Sequence, residues 1–185
     1  MNNSDKIIYT IGHSTRSFAE FLLLLKQSKI EAVADIRTFP SSRKFPQFNA
    51  DQLEKSLAQN GIEYLNVLKL GGRRKAIINT QNVAWRHPAF RGYADYMESE
   101  DFELGIADLE SVATQKCTAM MCSEAVWWRC HRSMVSDYLA VNGWKVFHII
   151  NQDSPKQHPF TQPARLFHGK LTYHNIGIHL HEKFA

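Results

Sequence analysis

Short apolar runs alternate with amphipathic stretches along most of the chain, and this alternation predicts the fold class. Five runs have the length and composition of buried strands, at residues 6–11, 30–36, 62–67, 117–122 and 144–150. Apolar residues recur at helical spacing between them, over residues 18–28, 50–60, 91–98, 101–114 and 128–142. We therefore expect one α/β domain over residues 1–185. It should be three-layered and Rossmann-like, with helices on both faces of a mostly parallel sheet of about five strands.

Capping residues mark where several of these helices begin and end. Ser17 lies three positions before Glu20, which is the spacing of a capping box. Asn49 is the expected N-cap of the second helix. Residues 151–185 contain several prolines and little periodicity, so we expect an irregular tail that packs on the body, with one short strand near residues 165–167.

The ends of the predicted strands are the first place to look for a site, because ligands of parallel α/β sheets bind beyond the carboxyl ends of the strands. Polar residues and glycines follow four of the strands: Gly12, His13 and Ser14; Asp35 and Arg37; Gly71, Gly72, Arg73 and Arg74; and Cys122, Ser123 and Glu124. If the strands take the common order 3-2-1-4-5, the first and fourth are neighbours, and His13 and Ser14 face Cys122 and Glu124.

The segment CSEAVWWRCHR, residues 122–132, holds the densest group of reactive side chains. A helix from about residue 128 would place Arg129, His131 and Arg132 in its first turn, where positive charge opposes the helix dipole by roughly 0.3–1 kcal/mol per group. A bound anion would reverse the sign, so we expect a phosphate or carboxylate there. On the same helix, Cys130 and His131 fall on or beside an apolar stripe, whereas Arg132 points away. A core role for both therefore remains the structural alternative.

Two kinds of thiol chemistry can be drawn from this segment. Cys122 is a candidate nucleophile, because a strand end near arginines and a helix N-terminus lowers the pKa of a thiol. Cys122, Cys130 and His131 are also ligand types that zinc accepts. However, adjacent helical residues point about 100° apart, so we assign no metal ligand. The chain contains neither GxGxxG nor GxxxxGK[ST], and no motif specifies a cofactor.

Charge and cysteine content narrow the partners. The net charge is +4, and residues 71–91 carry five basic and no acidic side chains. Tryptophans and phenylalanines are interleaved with arginines, which suits stacking on nucleobases as well as plain packing. The chain has three cysteines, no basic leader followed by an apolar stretch, and no apolar run long enough to span a membrane. We therefore expect a cytoplasmic protein. The expected partner is an anionic small molecule or a nucleic acid, and not a membrane.

Several longer motifs occur together: GHST, DIRTFPSSRKFPQFN, LGGRR, WRHPAFRGYADYM and CSEAVWWRCHR. In this order and spacing they resemble the bacterial and archaeal family catalogued as domain of unknown function 488, over roughly residues 7–150. The resemblance implies a small cytoplasmic α/β protein. It supplies no activity, substrate or catalytic residue, so the chemistry rests on the residues themselves.

The leading hypothesis is an enzyme, a hydrolase or a transferase, that acts on a phosphate-bearing nucleotide or nucleic acid in a basic cleft. The candidate catalytic residues are Cys122, Glu124 and His131. The candidate anion-binding residues are Arg37, Arg73, Arg74, Arg129 and Arg132, and His13, Ser14, Asp35 and Cys130 support the cleft. The alternative is a non-catalytic nucleotide or nucleic-acid binding module, and a Cys/His structural metal protein is less favoured.

Overall fold

A six-stranded sheet forms the middle layer of the protein, whose computed structural model describes residues 6–180. Five strands run parallel: β1 (Ile7–Gly12), β2 (Ala32–Asp35), β3 (Glu63–Asn66), β4 (Thr118–Cys122) and β5 (Lys145–Ile149). A two-residue strand, β6 (Lys156–Gln157), joins the edge antiparallel to β5. The order across the sheet is β3-β2-β4-β1-β5-β6. The predicted mostly parallel α/β sheet is thereby confirmed.

The expected strand order was wrong in one respect that matters for the site. β4 lies between β2 and β1, with Cys122 opposite Gly12 and Met121 opposite Asp35. All five residues of β4 are buried, as is typical of a central strand covered on both faces. The carboxyl end of β4 therefore has the loops after β1 and β2 on either side of it.

Helices cover both faces of this sheet. They are α1 (Phe18–Gln27), α2 (Ala50–Ala58), α3 (Pro88–Tyr96), α4 (Glu100–Ala113) and α5 (Arg132–Val141). Apolar residues of α1 and α2 form one core with alternate residues of β4, and those of α3, α4 and α5 form the other. The capping box of Ser17 and Glu20 is confirmed at α1. Asn49 occupies the N-cap position of α2, but its Oδ1 accepts from the backbone N–H of Ser42 at 2.6 Å.

The last helix begins later than the sequence predicts. Trp127–Arg129 form one 3-10 turn, and Cys130 is extended, with φ −133° and ψ 147°. His131 occupies the N-cap position, and α5 begins at Arg132. Packing overrides local helical propensity here. The Trp127 ring stacks on His148 with centroids 4.5 Å apart, and the Cys130 side chain is buried.

The segment after residue 150 contains more regular structure than expected. Beyond β6, it forms a small antiparallel sheet of β7 (Arg165–Phe167), β8 (Lys170–Thr172) and β9 (Ile178–His179). The predicted strand at residues 165–167 is confirmed, and residues 181–185 of the predicted tail lie outside the described residues. Within residues 6–180, none of the helices combines the length and apolar character that crossing a bilayer requires.

A buried carboxylate on α5 attaches this segment to the body. Asp137 accepts hydrogen bonds from His158 Nε2 (2.9 Å), from both the backbone N–H (2.9 Å) and Oγ1 (2.5 Å) of Thr161, and from the Tyr173 hydroxyl (2.9 Å). His158 Nδ1 lies 2.9 Å from His148 Nε2, which extends the network to β5. The carboxylate therefore satisfies donors from residues that are 21 to 36 positions away in sequence.

Replacing Asp137 should uncouple the C-terminal segment from α5. In Asp137→Ala, several buried donors lose their acceptor, at about 1–3 kcal/mol each, so we expect a loss of about 3 kcal/mol or more in the free energy of unfolding. Urea denaturation followed by circular dichroism measures it. The exposed Asp108 on α4 provides the control, because Asp108→Ala should change stability by less than about 0.5 kcal/mol. Equal effects of the two substitutions would contradict the proposed anchor.

Candidate functional site

A cleft of about 1080 Å³ opens at the carboxyl ends of β1, β2 and β4. The loop after β3 and the turn before α5 complete its walls. Among the predicted site residues, those that line it are His13, Ser14, Arg37, Arg73, Cys122, Glu124, Arg129, Cys130 and His131. The cleft therefore lies where parallel α/β sheets usually bind their ligands.

Two thiols and an imidazole meet at the floor of this cleft, and we call Cys122, Cys130 and His131 the Cys–His cluster. His131 Nδ1 lies 3.6 Å from Cys130 Sγ and 4.0 Å from Cys122 Sγ. Among residues 6–180, this is the one group of three metal-ligating side chains whose ligand atoms all lie within 4.8 Å of one another. The prediction that Cys130 and His131 diverge was wrong, because Cys130 is extended and precedes the helix.

A backbone carbonyl fixes the orientation of the imidazole. His131 Nε2 lies 3.1 Å from the carbonyl oxygen of Ile36, which follows β2. Since a carbonyl can only accept, Nε2 donates this hydrogen bond, and in the neutral form of the ring the lone pair of Nδ1 faces the two sulfurs. The Ile36 backbone N–H donates to Met121 O at 3.0 Å, so the pairing of β2 with β4 places this carbonyl.

Two glycines allow the backbone to come close to the cluster. A Cβ at Gly12 would lie 1.7 Å from the carbonyl oxygen of Glu124, which crosses the end of β1. A Cβ at Gly72 would lie 2.3 Å from His131 Nδ1, because the loop after β3 covers one face of the imidazole. No other residue fits these two positions without movement of backbone or ring.

Arg132 is buried directly beneath the cleft, and the prediction that it points away was wrong. Its side chain is 1% exposed, and Nη2 donates to the carbonyl oxygen of Glu124 at 2.7 Å. Its Nε has no hydrogen-bond partner among the described residues, and no carboxylate of residues 6–180 forms an ion pair with it. A buried guanidinium without a carboxylate needs negative charge from another source.

The sulfurs of the cluster are one such source, because the charge of Arg132 acts on both thiols. A hydrogen bond from the Cys130 thiol, together with the charges of His131 and Arg132, holds the pKa of the Cys122 thiol well below its usual value. Burial, and then the neighbouring Cys122, raise the pKa of Cys130 well above it. The lowered pKa of Cys122 favours a thiolate beside the buried Arg132. A Cys122 thiolate would supply part of the negative charge expected at the start of α5.

His13 and Arg37 are held by their own partners beside the cluster. Arg37 donates from Nε to Asp35 Oδ1 (2.8 Å) and from Nη2 to Asp35 Oδ2 (2.5 Å) and Phe48 O (2.8 Å). Its Nη1 lies 3.3 Å from His13 Nε2, and His13 Nδ1 lies 3.0 Å from Ser14 O. Burial and the charge of Arg37 lower the pKa of His13. A neutral His13 that donates from Nδ1 and accepts at Nε2 fits all these contacts.

The predicted arginines therefore divide into two groups. Arg73 and Arg129 are exposed on the cleft walls, and no carboxylate of the described residues forms an ion pair with either. Arg74 lies outside the cleft lining, with its guanidinium carbon 3.8 Å from the centre of the Tyr96 ring. Arg37 and Arg132 serve neighbouring groups of the protein, and Asp35 lies beneath the cleft as the partner of Arg37.

Some lining residues were missed by the sequence argument. Phe39 is 63% exposed on the cleft wall, and Arg73 lies over its ring at 5.3 Å. Thr38 accepts a hydrogen bond from the backbone N–H of Arg73 at 3.2 Å, and His87, directly before α3, also lines the cleft. The position of Thr38 and Phe39 directly after a strand end was the available signal, whereas nothing in the local pattern marks His87.

Comparison with known proteins identifies the family. The family model described as domain of unknown function DUF488 matches residues 17–139. The chain belongs to this family. No curated protein and no solved structure matches the chain. The matched range of the DUF488 domain includes the whole Cys–His cluster and the arginines of the cleft, but it ends before β5.

Adding one methyl group at Gly72 should disturb the imidazole specifically. Gly72→Ala should destabilise the fold by about 1–3 kcal/mol, because the new Cβ collides with His131. In a His131→Ala background the ring is absent, and the same substitution should cost less than about 0.5 kcal/mol. Urea denaturation of the four proteins of this double-mutant cycle measures the coupling. Additive effects would contradict the close packing of Gly72 on the imidazole.

Proposed function

We propose that this protein is an enzyme that acts on a phosphate-bearing substrate, a nucleotide or a nucleic acid, within the cleft. One observation carries the proposal: two buried thiols and the half-buried imidazole of the Cys–His cluster form the floor of a large cleft whose walls present exposed arginines. Reactive groups beside unpaired positive charge are what catalysis on a phosphate-bearing molecule requires.

Arg73 and Arg129 are the proposed phosphate ligands. Both are exposed on the cleft walls, and neither forms an ion pair with a carboxylate of residues 6–180, so their donors are available to an incoming anion. Guanidinium groups bind phosphate oxygens through two parallel hydrogen bonds. The cleft volume of about 1080 Å³ is at the upper end of small-molecule sites and is sufficient for a nucleotide.

Two exposed aromatic rings support the assignment of a base-containing substrate. Trp128 is 51% exposed and Phe39 is 63% exposed, and both line the cleft. The edge-to-face contact of Trp128 with Trp127, at 5.5 Å and 87°, holds its indole in place. Exposed aromatic faces beside arginines suit stacking on nucleobases, with the phosphates held by the guanidinium groups.

The reacting group is the Cys122 sulfur itself or a group that this sulfur holds. Cys122 ends β4 at the cleft floor, and the lone pair of His131 Nδ1 faces its sulfur. Glu124, exposed on the cleft wall, is the proposed general acid–base. We place this activity in the cytoplasm, where thiols remain reduced.

Phosphate binding should depend on the cleft arginines. Arg129→Gln removes charged hydrogen bonds worth about 1.5–3 kcal/mol, so nucleotide affinity should fall by about tenfold or more. Titration with nucleoside monophosphates and short single-stranded oligonucleotides, followed by the fluorescence of the cleft tryptophan, measures affinity. Arg43 is exposed but does not line the cleft, so Arg43→Gln is the matched control. Equal losses of affinity in both variants would mean that the effect comes from net charge alone.

Turnover should depend on one cysteine. In Cys122→Ser, hydrolysis or transfer of the bound phosphate compound should fall by at least about 100-fold, while nucleotide affinity stays unchanged. Cys117 lies before the other end of β4, with its thiol near Ser28 O, and Cys117→Ser should retain full activity. Binding without turnover in the wild-type protein, over a broad panel of phosphate esters, would instead favour the non-catalytic binding module.

A further inference from the structure

We propose that Cys122, Cys130 and His131 bind one zinc ion, through the two sulfurs and the imidazole Nδ1. This goes beyond the proposed function, because it concerns the metal content of the protein and can be measured without a substrate. The ligands come from two separate places, the end of β4 and the turn before α5, so the fold must form before the three atoms can meet.

The interatomic distances fit a tetrahedral zinc site. With Zn–S near 2.3 Å and Zn–N near 2.0–2.1 Å, two tetrahedral ligand atoms lie roughly 3.6 Å apart. His131 Nδ1 is 3.6 Å from Cys130 Sγ and 4.0 Å from Cys122 Sγ. Small side-chain rotations would therefore bring all three atoms within bonding distance of one ion.

The orientation of His131 also fits a metal ligand. Two sulfurs converge on one lone pair, and a single lone pair can accept only one good hydrogen bond, whereas one metal ion can bind all three atoms. The opposite nitrogen, Nε2, donates to the carbonyl oxygen of Ile36 at 3.1 Å. Zinc-bound histidines almost always direct their second N–H to a carbonyl or carboxylate in this way.

Charge and access favour a reactive ion over a purely structural one. Zn²⁺ with two thiolates is neutral, and an added hydroxide would leave one negative charge, which the buried Arg132 beneath the site balances. All three ligands line the cleft, so a fourth coordination position would be open to it, as in catalytic zinc sites. A water bound to the ion would face the cleft that Glu124 also lines. Only the assignment of a reactive zinc-bound water rests on the proposed function.

Metal content and chelator competition test the site directly. The full chain, purified without an affinity tag that binds metals, should carry or take up one Zn²⁺ per molecule. Cys122→Ser, Cys130→Ser and His131→Asn should each weaken zinc binding by at least about 100-fold, the upper end of what the loss of even an outer-sphere partner costs. Cys117→Ser removes the remaining cysteine and should bind zinc like the wild type.

Cobalt substitution reports the ligands even if a variant is less stable. The Co²⁺ protein should show sulfur-to-metal charge-transfer bands and the intense visible bands of tetrahedral coordination. Each thiol substitution should weaken the charge-transfer bands in proportion to the sulfur lost. Zinc should also raise the melting temperature of the wild type and of Cys117→Ser, but not of the three ligand variants, whose folding is checked by circular dichroism.

Several outcomes would overturn the assignment. These are a wild-type protein that neither carries nor binds zinc, equal zinc loss in Cys117→Ser, or uptake of iron or copper in place of zinc. The arms also separate this inference from the proposed function. Zinc binding with no affinity for any phosphate compound would support the metal site and reject the function. Phosphate turnover that requires Cys122, in a protein that binds no metal, would support the function and reject the metal site.

Discussion

A buried positive charge constrains the whole site. Arg132 is 1% exposed and is the first residue of α5, and no carboxylate of the described residues forms an ion pair with it. A guanidinium remains charged at any ordinary pH, and a buried charge is costly unless it is compensated. The charge of Arg132 contributes to the lowered pKa of the Cys122 thiol, after the hydrogen bond from Cys130 and the charge of His131, whereas burial holds the pKa of Cys130 above its usual value. The bond of Arg132 to the Glu124 carbonyl also holds the chain segment that crosses Gly12. The charge balance of the cluster and the shape of the cleft floor therefore depend on the same side chain.

Much of the architecture could be predicted because it depends on local pattern. Apolar runs and helical periodicity located all five parallel strands and five helices, and the capping box of Ser17 and Glu20 is present as expected. The strand order could not be obtained in this way, since it depends on which buried surfaces pack together. It has consequences for the site. Because β4 lies beside β2, the Ile36 carbonyl is in position to orient His131, and the order expected from sequence would have separated the two.

The geometry of the Cys–His cluster could not be predicted from the sequence for a related reason. A helical wheel assumes that the helix includes every residue placed on it, and here Cys130 lies just before the helix. Extended backbone at Cys130 redirects its sulfur toward His131, with Trp127 anchored on His148 one turn earlier. Composition did single out residues that the fold brings together, because Cys122, His131 and Arg129 all line the cleft. Their relative directions were set by the packing of aromatic side chains that are distant in sequence.

A thiol nucleophile and a metal centre make different demands on these residues, and the second cysteine distinguishes them. A nucleophile at Cys122 needs one base and one positive charge, which His131 and Arg132 supply, and leaves Cys130 only a supporting hydrogen bond. A metal centre uses Cys130 fully and explains why two buried sulfurs share one imidazole lone pair. It also explains why Nε2 of the imidazole is hydrogen-bonded to a carbonyl and why Gly72 packs against the ring. A fixed orientation favours metal coordination, whereas a general base must turn toward its substrate. The rigidity of His131 therefore favours coordination at this site.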